Sequence, residues 1–147
     1  MADHTYNQNN QTKLLDPPES QVSANTAWES VWAEAELYTY TLQCGAIGTS
    51  MDAKVTQATD SGGSDAKDVS GAAITQLLTA DANTYVRLSV GPHALDIKNG
   101  FTHCRLEVTA SGTCVWSVEG TKSALRKAPP LTADATLAED VEVLYQA

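Results

Sequence analysis

Residues 101–119 read FTHCRLEVTASGTCVWSVE, two alternating runs either side of Ala110-Ser111-Gly112. In the first run Cys104, Leu106 and Val108 share one face at period two, and in the second Cys114, Trp116 and Val118 do the same. Such alternation marks half-buried β-strands. A three-residue loop with Gly112 in the left-handed conformation predicts a hairpin, with Val108 facing Cys114, Leu106 facing Trp116 and Cys104 facing Val118. Phe101, His103, Arg105, Glu107, Val115, Ser117 and Glu119 fall on the opposite face, which is mostly polar. Trp116 is therefore expected in the core.

The same pattern extends upstream. Residues 36–44, ELYTYTLQC, place Tyr38, Tyr40, Leu42 and Cys44 on one face, and residues 51–57 alternate Met51, Ala53 and Val55 against Asp52, Lys54 and Thr56. Residues 59–66, TDSGGSDA, are a turn by composition. In residues 69–78 the apolar parity changes, which predicts a bulge near Gly71. Residues 85–90 alternate again with Val86, Leu88 and Val90 inward, and Gly91-Pro92 ends the run. Thr26, Glu29, Trp28, Val31, Trp32 and Ala35 have the spacing of a short capped helix. The expected fold is all-β, an antiparallel β-sandwich or jelly-roll-like barrel of about six to eight strands. The expected organisation is an extended N-terminal arm over 1–26, a β-sandwich over 27–120, and a C-terminal arm with a last strand over 121–147.

The arms differ from the centre in composition. Residues 1–26 are rich in Asn, Gln, Asp and Ser, contain Pro17-Pro18, and offer only Leu14, Leu15 and Val22 as aliphatic anchors. They read either as a disordered terminus or as an arm that orders on a neighbouring subunit, with the prolines as a stiff spacer. Residues 122–127 hold three of the nine basic residues, Lys122, Arg126 and Lys127, before Pro129-Pro130. Glu139 to Tyr145 then alternates Val141, Val143 and Tyr145. LTADA occurs at 78–82 and again at 131–135, which reflects a shared turn preference rather than a structural repeat.

The 147 residues carry 18 acidic and 9 basic side chains, a net charge of −9, which excludes affinity built on nucleic-acid phosphates or anionic membranes. No apolar run reaches transmembrane length and the opening residues are not a signal peptide, so a soluble protein is expected. Cys44, Cys104 and Cys114 are an odd count and read as buried thiols.

Chemistry-bearing patterns are weak. Asp60, Asp65 and Asp68 match no calcium loop. His93, His103 and Cys104 are poorly placed to share a zinc ion, because His103 and Cys104 point to opposite strand faces. No nucleophile elbow, phosphate loop or zinc-protease motif occurs. The expectation is a protein that is not an enzyme and needs no cofactor. Trp28 and Trp32, with Tyr38 and Tyr40, are candidates for an aromatic sugar platform.

Residues 51–77, MDAKVTQATDSGGSDAKDVSGAAITQL, and 101–113, FTHCRLEVTASGT, carry a resemblance. The first is an alternating strand, a Ser/Asp-Gly-Gly turn and Asp-Val-x-Gly-Ala-Ala-Ile-Thr; the second runs from an arginine through alternating apolars to Thr-x-x-Gly-Thr. Together they resemble small structural proteins of tailed bacteriophages and prophages, of the head decoration (cement) type, over about residues 35–120. The resemblance implies a non-enzymatic β-domain on the outer surface of the virion, made in the host cytoplasm. Its partners would be the major capsid protein and itself, as a homotrimer or homodimer, with no nucleic acid or membrane. It does not dictate the two proline-containing tails. The interface residues expected on this reading are Leu14, Leu15, Pro17, Pro18, Val22, Trp28, Trp32, Arg126 and Lys127. The alternatives are a head-tail connector or tail structural protein, or a virion-displayed carbohydrate-binding β-sandwich.

Overall fold

In a computed structural model, residues 10–30 and 35–125 are described, and they form ten strands in chain order: β1 (Asn10–Gln21), β2 (Ala24–Asn25), β3 (Glu29–Ser30), β4 (Ala35–Cys44), β5 (Ser50–Ala58), β6 (Lys67–Ala73), β7 (Leu77–Leu78), β8 (Tyr85–Val90), β9 (His103–Ser111) and β10 (Cys114–Leu125). All pairings are antiparallel. One sheet, here sheet A, has the order β1-β10-β4-β8. The other, sheet B, has the order β2-β9-β5-β6, with β3 also on β9 and β7 also on β5. The expected all-β sandwich is what forms. No α-helix occurs among the described residues, only three single-turn 3-10 segments.

The core lies between the sheets and is built by the alternation read above. Trp116, Val118, Tyr38, Tyr40, Leu42 and Cys44 of sheet A face Met51, Ala53, Val55, Cys104, Leu106 and Val108 of sheet B, all buried. Trp116 is 1% exposed, and its Nε1 donates to Asp16 Oδ2 at 3.0 Å.

The predicted hairpin over 101–119 does not form. β9 pairs with β5 in sheet B, whereas β10 pairs with β1 and β4 in sheet A, so residues 112–113 cross between sheets. The six inward residues were placed on the correct face, but they oppose one another through the core rather than lie side by side. Alternation records which face is buried and carries no information about the pairing partner. Gly112 does adopt the expected left-handed backbone, with φ at 75°. The β4–β5 connection crosses alongside it: Gly45 N–H donates to Val115 C=O and Val115 N–H to Ala46 C=O, both at 2.8 Å. A Cβ on Gly48 would lie 2.8 Å from the backbone N and O of Thr113, so the nested crossings require glycine there. Phe101, expected outward, is buried before β9 under the Lys67 ammonium, 4.0 Å from its ring centroid.

Residues 10–26 were expected to project as an arm, and the structure places them in the sandwich instead. β1 is the edge strand of sheet A, with Thr12 against Thr121 and Gln21 against Cys114. Its register shifts between Leu14 and Asp16 and again between Asp16 and Glu19, around Pro17 and Pro18. Proline lacks the ladder N–H, so a bulged edge strand is where a sheet accommodates it. β10 continues to Leu125, past the boundary expected at 120.

The helix expected from Thr26 is absent over 26–30. Thr26 is buried; its N–H donates to Leu106 C=O and its Oγ1 accepts from Leu106 N–H, both at 3.0 Å. The hydroxyl thus completes a ladder rung between β2 and β3 instead of capping a turn. Val31 and Trp32 lie outside the described residues. The bulge expected near Gly71 is present: the β5–β6 register shifts between Lys54 and Thr56, and Gly71 has φ 78°.

All three cysteines are free and buried. Burial pushes the Cys44 thiol up to about 11 and the Cys104 thiol up to about 12, the latter sharing a 3.3 Å hydrogen bond with Tyr40 Oη. Burial also raises the Tyr40 phenol. Raised folded values favour the neutral thiol, so this contribution to stability is whole below the ordinary value of 9.0 and is lost as pH rises through 11 to 12. Iodoacetamide at pH 8 is therefore expected to leave the native protein unmodified and to label three thiols after unfolding in urea. Stoichiometric labelling of any one in the native state would contradict this packing.

Candidate functional site

The outer faces of the two sheets differ in chemistry. On sheet B, charges pair with one another: Lys54 Nζ lies 2.8 Å from Asp68 Oδ1 and 3.9 Å from Glu107 Oε2, and Arg105 Nη2 lies 2.7 Å from Glu107 Oε1. The hydrogen bond to Asp68 raises the Lys54 ammonium above its ordinary value. Gln76 Nε2 donates to Asp52 Oδ2 at 2.7 Å. This is a self-neutralised, solvated surface, as expected from the mixed charges of residues 51–57.

Sheet A presents hydroxyls and aliphatic groups. Because Tyr38, Tyr40 and Leu42 point inward, Leu37, Thr39, Thr41 and Gln43 lie on the opposite face, where Thr41 is nonetheless buried, and the register extends this face across four strands. One row runs Thr12, Thr121, Thr39, Ser89. Within it Thr12 Oγ1 and Thr121 Oγ1 lie 3.2 Å apart, and Thr39 Oγ1 and Ser89 Oγ 2.9 Å apart. The next row is Leu14, Glu119, Thr41 and Arg87, which contributes the face's two charges. Leu14 is 59% and Tyr85 62% exposed, and Leu37 and Val115 are also exposed. β-Branched threonines suit strands, and cross-strand hydroxyl pairs hold their rotamers. The result is a broad, pre-ordered surface of low charge on a chain of net −9.

The residues expected at an interface divide. Leu14 points outward on this face, whereas Leu15 turns inward and packs on the core beside Gly120. The two leucines expected as anchors are therefore one exposed residue and one core residue, split by strand alternation. Pro17, Pro18 and Val22 are exposed along and just after β1. Trp32, Arg126 and Lys127 lie outside the described residues. The hydroxyl row escaped the sequence reading because it exists only once four non-adjacent strands are in register; the Thr39-x-Thr41 alternation was its one visible trace.

Trp28 sits elsewhere, against the outer side of sheet B. The Arg105 guanidinium lies 4.5 Å from its ring centroid, and Gly63 packs so closely that an added Cβ would be 2.5 Å from the indole nitrogen. Gly63 has φ 87° in the turn after β5. Asp60 organises that turn by accepting from Ser64 Oγ at 2.7 Å and from the Ser64 and Gly62 amides, which holds its carboxyl below the usual range. Trp28 thus clamps the turn to the sheet, with a ring face taken by Arg105. It is not joined by Tyr38 or Tyr40, which are buried in the core. The expected aromatic platform is therefore not assembled from these residues. Among the described residues no group of three His, Cys, Asp or Glu side chains is arranged to hold a metal ion.

No protein-family model matches the chain, and no curated protein matches it significantly. Solved structures do. The chain is similar to the SPBc2 prophage-derived protein YomS, at 13% identity and a TM-score of 0.44, over 77% of this chain and 91% of that one. It is similar to a chain of infectious bursal disease virus Gx strain, at 11% identity and a TM-score of 0.45, covering 76% of this chain but 31% of that one. It is similar to a carbohydrate-binding module specific for non-crystalline cellulose, CBM28, at 10% identity and a TM-score of 0.39, over 80% of this chain and 73% of that one. At this level the similarity concerns β architecture alone.

Proposed function

We propose that the protein is a non-enzymatic capsid decoration protein that binds the outside of an assembled major capsid protein lattice through the outer face of sheet A and stabilises the head. The observation that supports this is the asymmetry of the sandwich. One outer face satisfies its own charges, and the other offers a rigid field of hydroxyl and aliphatic groups with few charges to desolvate. Large, pre-ordered, weakly charged surfaces lose little on association, and repetition over a lattice adds avidity. The resemblance of residues 51–77 and 101–113 to phage head decoration proteins points the same way. The carbohydrate-binding reading rested on Trp28 and Trp32; Trp28 is engaged by Arg105 and Gly63, and Trp32 lies outside the described residues.

The experiment is co-sedimentation of the purified protein with expanded capsids that lack it, with copy number read from stained bands. Saturable binding at hundreds of copies per particle is expected. Saturation at about a dozen copies would favour the connector or tail reading, and absence of binding would overturn the proposal.

A further inference from the structure

Asn99-Gly100 is the one Asn-Gly pair in the sequence. In such a pair the following amide nitrogen can attack the side-chain carbonyl carbon, because glycine brings no Cβ into the path. The pair is exposed in the connection between β8 and β9, at the end of the 3-10 segment Ile97–Asn99, and Gly100 has φ 85°. It is also bonded into a hub. Asn99 Nδ2 donates to both carboxylate oxygens of Asp96 at 2.9 Å. The same carboxylate accepts from Lys67 Nζ, whose ammonium lies over the Phe101 ring. Lys67 and Asn99 together hold the Asp96 carboxyl below its usual range. Asp96 N–H donates to Oε1 of the buried Gln57 at 2.8 Å, and Asp96 C=O accepts from the amides of Asn99 at 3.1 Å and Phe101 at 3.2 Å.

We propose that Asn99 is a deamidation site, kept intact by the folded turn, whose conversion to aspartate or isoaspartate releases residues 96–101 from the start of β6. The reaction is ring closure followed by hydrolysis. The deprotonated Gly100 nitrogen bonds to Asn99 Cγ, and the side-chain nitrogen leaves as ammonia, taking up the proton. Water then opens the cyclic imide. Attack at Cγ gives aspartate, and attack at the backbone carbonyl carbon gives isoaspartate.

The folded turn opposes the first step twice. The Gly100 N–H that must lose its proton donates to Ile97 C=O at 2.9 Å, and the carboxamide that must swing towards it is held on Asp96. Closure therefore requires the turn to open, a local fluctuation that an exposed segment undergoes far more often than the core. The product does not return to the same arrangement. Its carboxylate sets acceptors against the Asp96 oxygens where a donor stood, and Lys67 must serve two anions. Isoaspartate also lengthens the backbone by one carbon, which breaks the spacing of the turn's hydrogen bonds. Residues 96–101 then part from Lys67, while the buried Leu95 keeps the connection anchored on its other side.

Peptide mapping by mass during incubation at pH 8 gives the rate at residue 99. In the folded full-length chain it is expected to be slower by about tenfold or more than in a synthetic peptide of residues 94–104. Asp96→Ala, which frees the carboxamide, is expected to recover most of that difference. Amide hydrogen exchange reads the consequence. In Asn99→Asp the amides of Gly100 and Phe101 are expected to exchange about tenfold faster than in the unaltered chain. Asn99→Ala, which loses the donor without adding charge, should fall between the two. Amides of β4 and β10 should be unchanged in every variant, which reports an intact fold. Equal rates in the folded chain and the peptide, no acceleration in Asp96→Ala, or exchange in Asn99→Asp no faster than in Asn99→Ala would each overturn the proposal.

Discussion

Trp116→Ala is expected to lower the free energy of unfolding by about 3–5 kcal/mol, read as a fall in the urea midpoint with little change in slope. The indole is the largest fully buried side chain among the described residues and joins three parts of the fold. It fills the space between the sheets, it lies on the strand that pairs with both β1 and β4, and its N–H fixes Asp16 in the bulged edge. Removing it leaves a cavity that surrounding β-branched and aromatic residues cannot fill without shifting two sheets. Against the roughly 5–15 kcal/mol total stability of a domain this size, the loss is a large share. Trp116→Phe separates the contributions. It retains much of the packing but takes one of the two donors from Asp16, the other being Gln21 Nε2 at 2.8 Å, and is expected to cost about 1–3 kcal/mol. A change below about 1 kcal/mol for the alanine variant would mean that the sheets are not held apart and aligned by this residue.

The second large effect concerns binding rather than stability. Thr39→Lys combined with Thr121→Lys places two ammonium groups in the centre of the hydroxyl row, on neighbouring strands that are directly paired. Both sites are half-exposed, so the fold tolerates them. If the face docks on coat protein, two unpaired charges must be desolvated, and capsid affinity is expected to fall about a hundredfold or more, roughly 3 kcal/mol. Thr109→Lys on the exposed outer side of sheet B is the matched control and should bind as the unaltered protein does. Binding isotherms by co-sedimentation give both numbers. Equal losses in the two proteins would show that added charge acts through the whole molecule instead of the proposed face.

Much of the architecture was legible because strand burial is a period-two property of the chain. Tyr38 to Cys44, Met51 to Val55, Val86 to Val90 and the six residues around Gly112 all face inward as their alternation indicated. Gly71 and Gly112 also take the backbone conformations that their contexts implied. What alternation does not encode is which strand lies beside which. That is why 101–119 reads as a hairpin and folds as a crossing between sheets.

Residues 10–21 were hidden for a different reason. Their polar composition describes a surface strand as well as an unpaired arm, and only the partner β10 distinguishes the two. The outer face of sheet A was harder still, since Thr12, Thr121, Thr39 and Ser89 are scattered through the chain. Only Leu14 was anticipated there. Trp28 reads in the sequence as a candidate for an aromatic platform, but its role in clamping the turn depends on Arg105 and Gly63, from two other segments.

The most direct measurement is an electron cryomicroscopy reconstruction of expanded capsids saturated with the protein, resolved well enough to orient a sandwich of this size. The account predicts density on the outer surface at every equivalent lattice site, with Thr39, Thr121 and Leu14 turned towards the coat and the Lys54–Glu107–Arg105 surface towards solvent. Density in which the charged face of sheet B meets the coat, or confined to a single vertex or the tail, would contradict it.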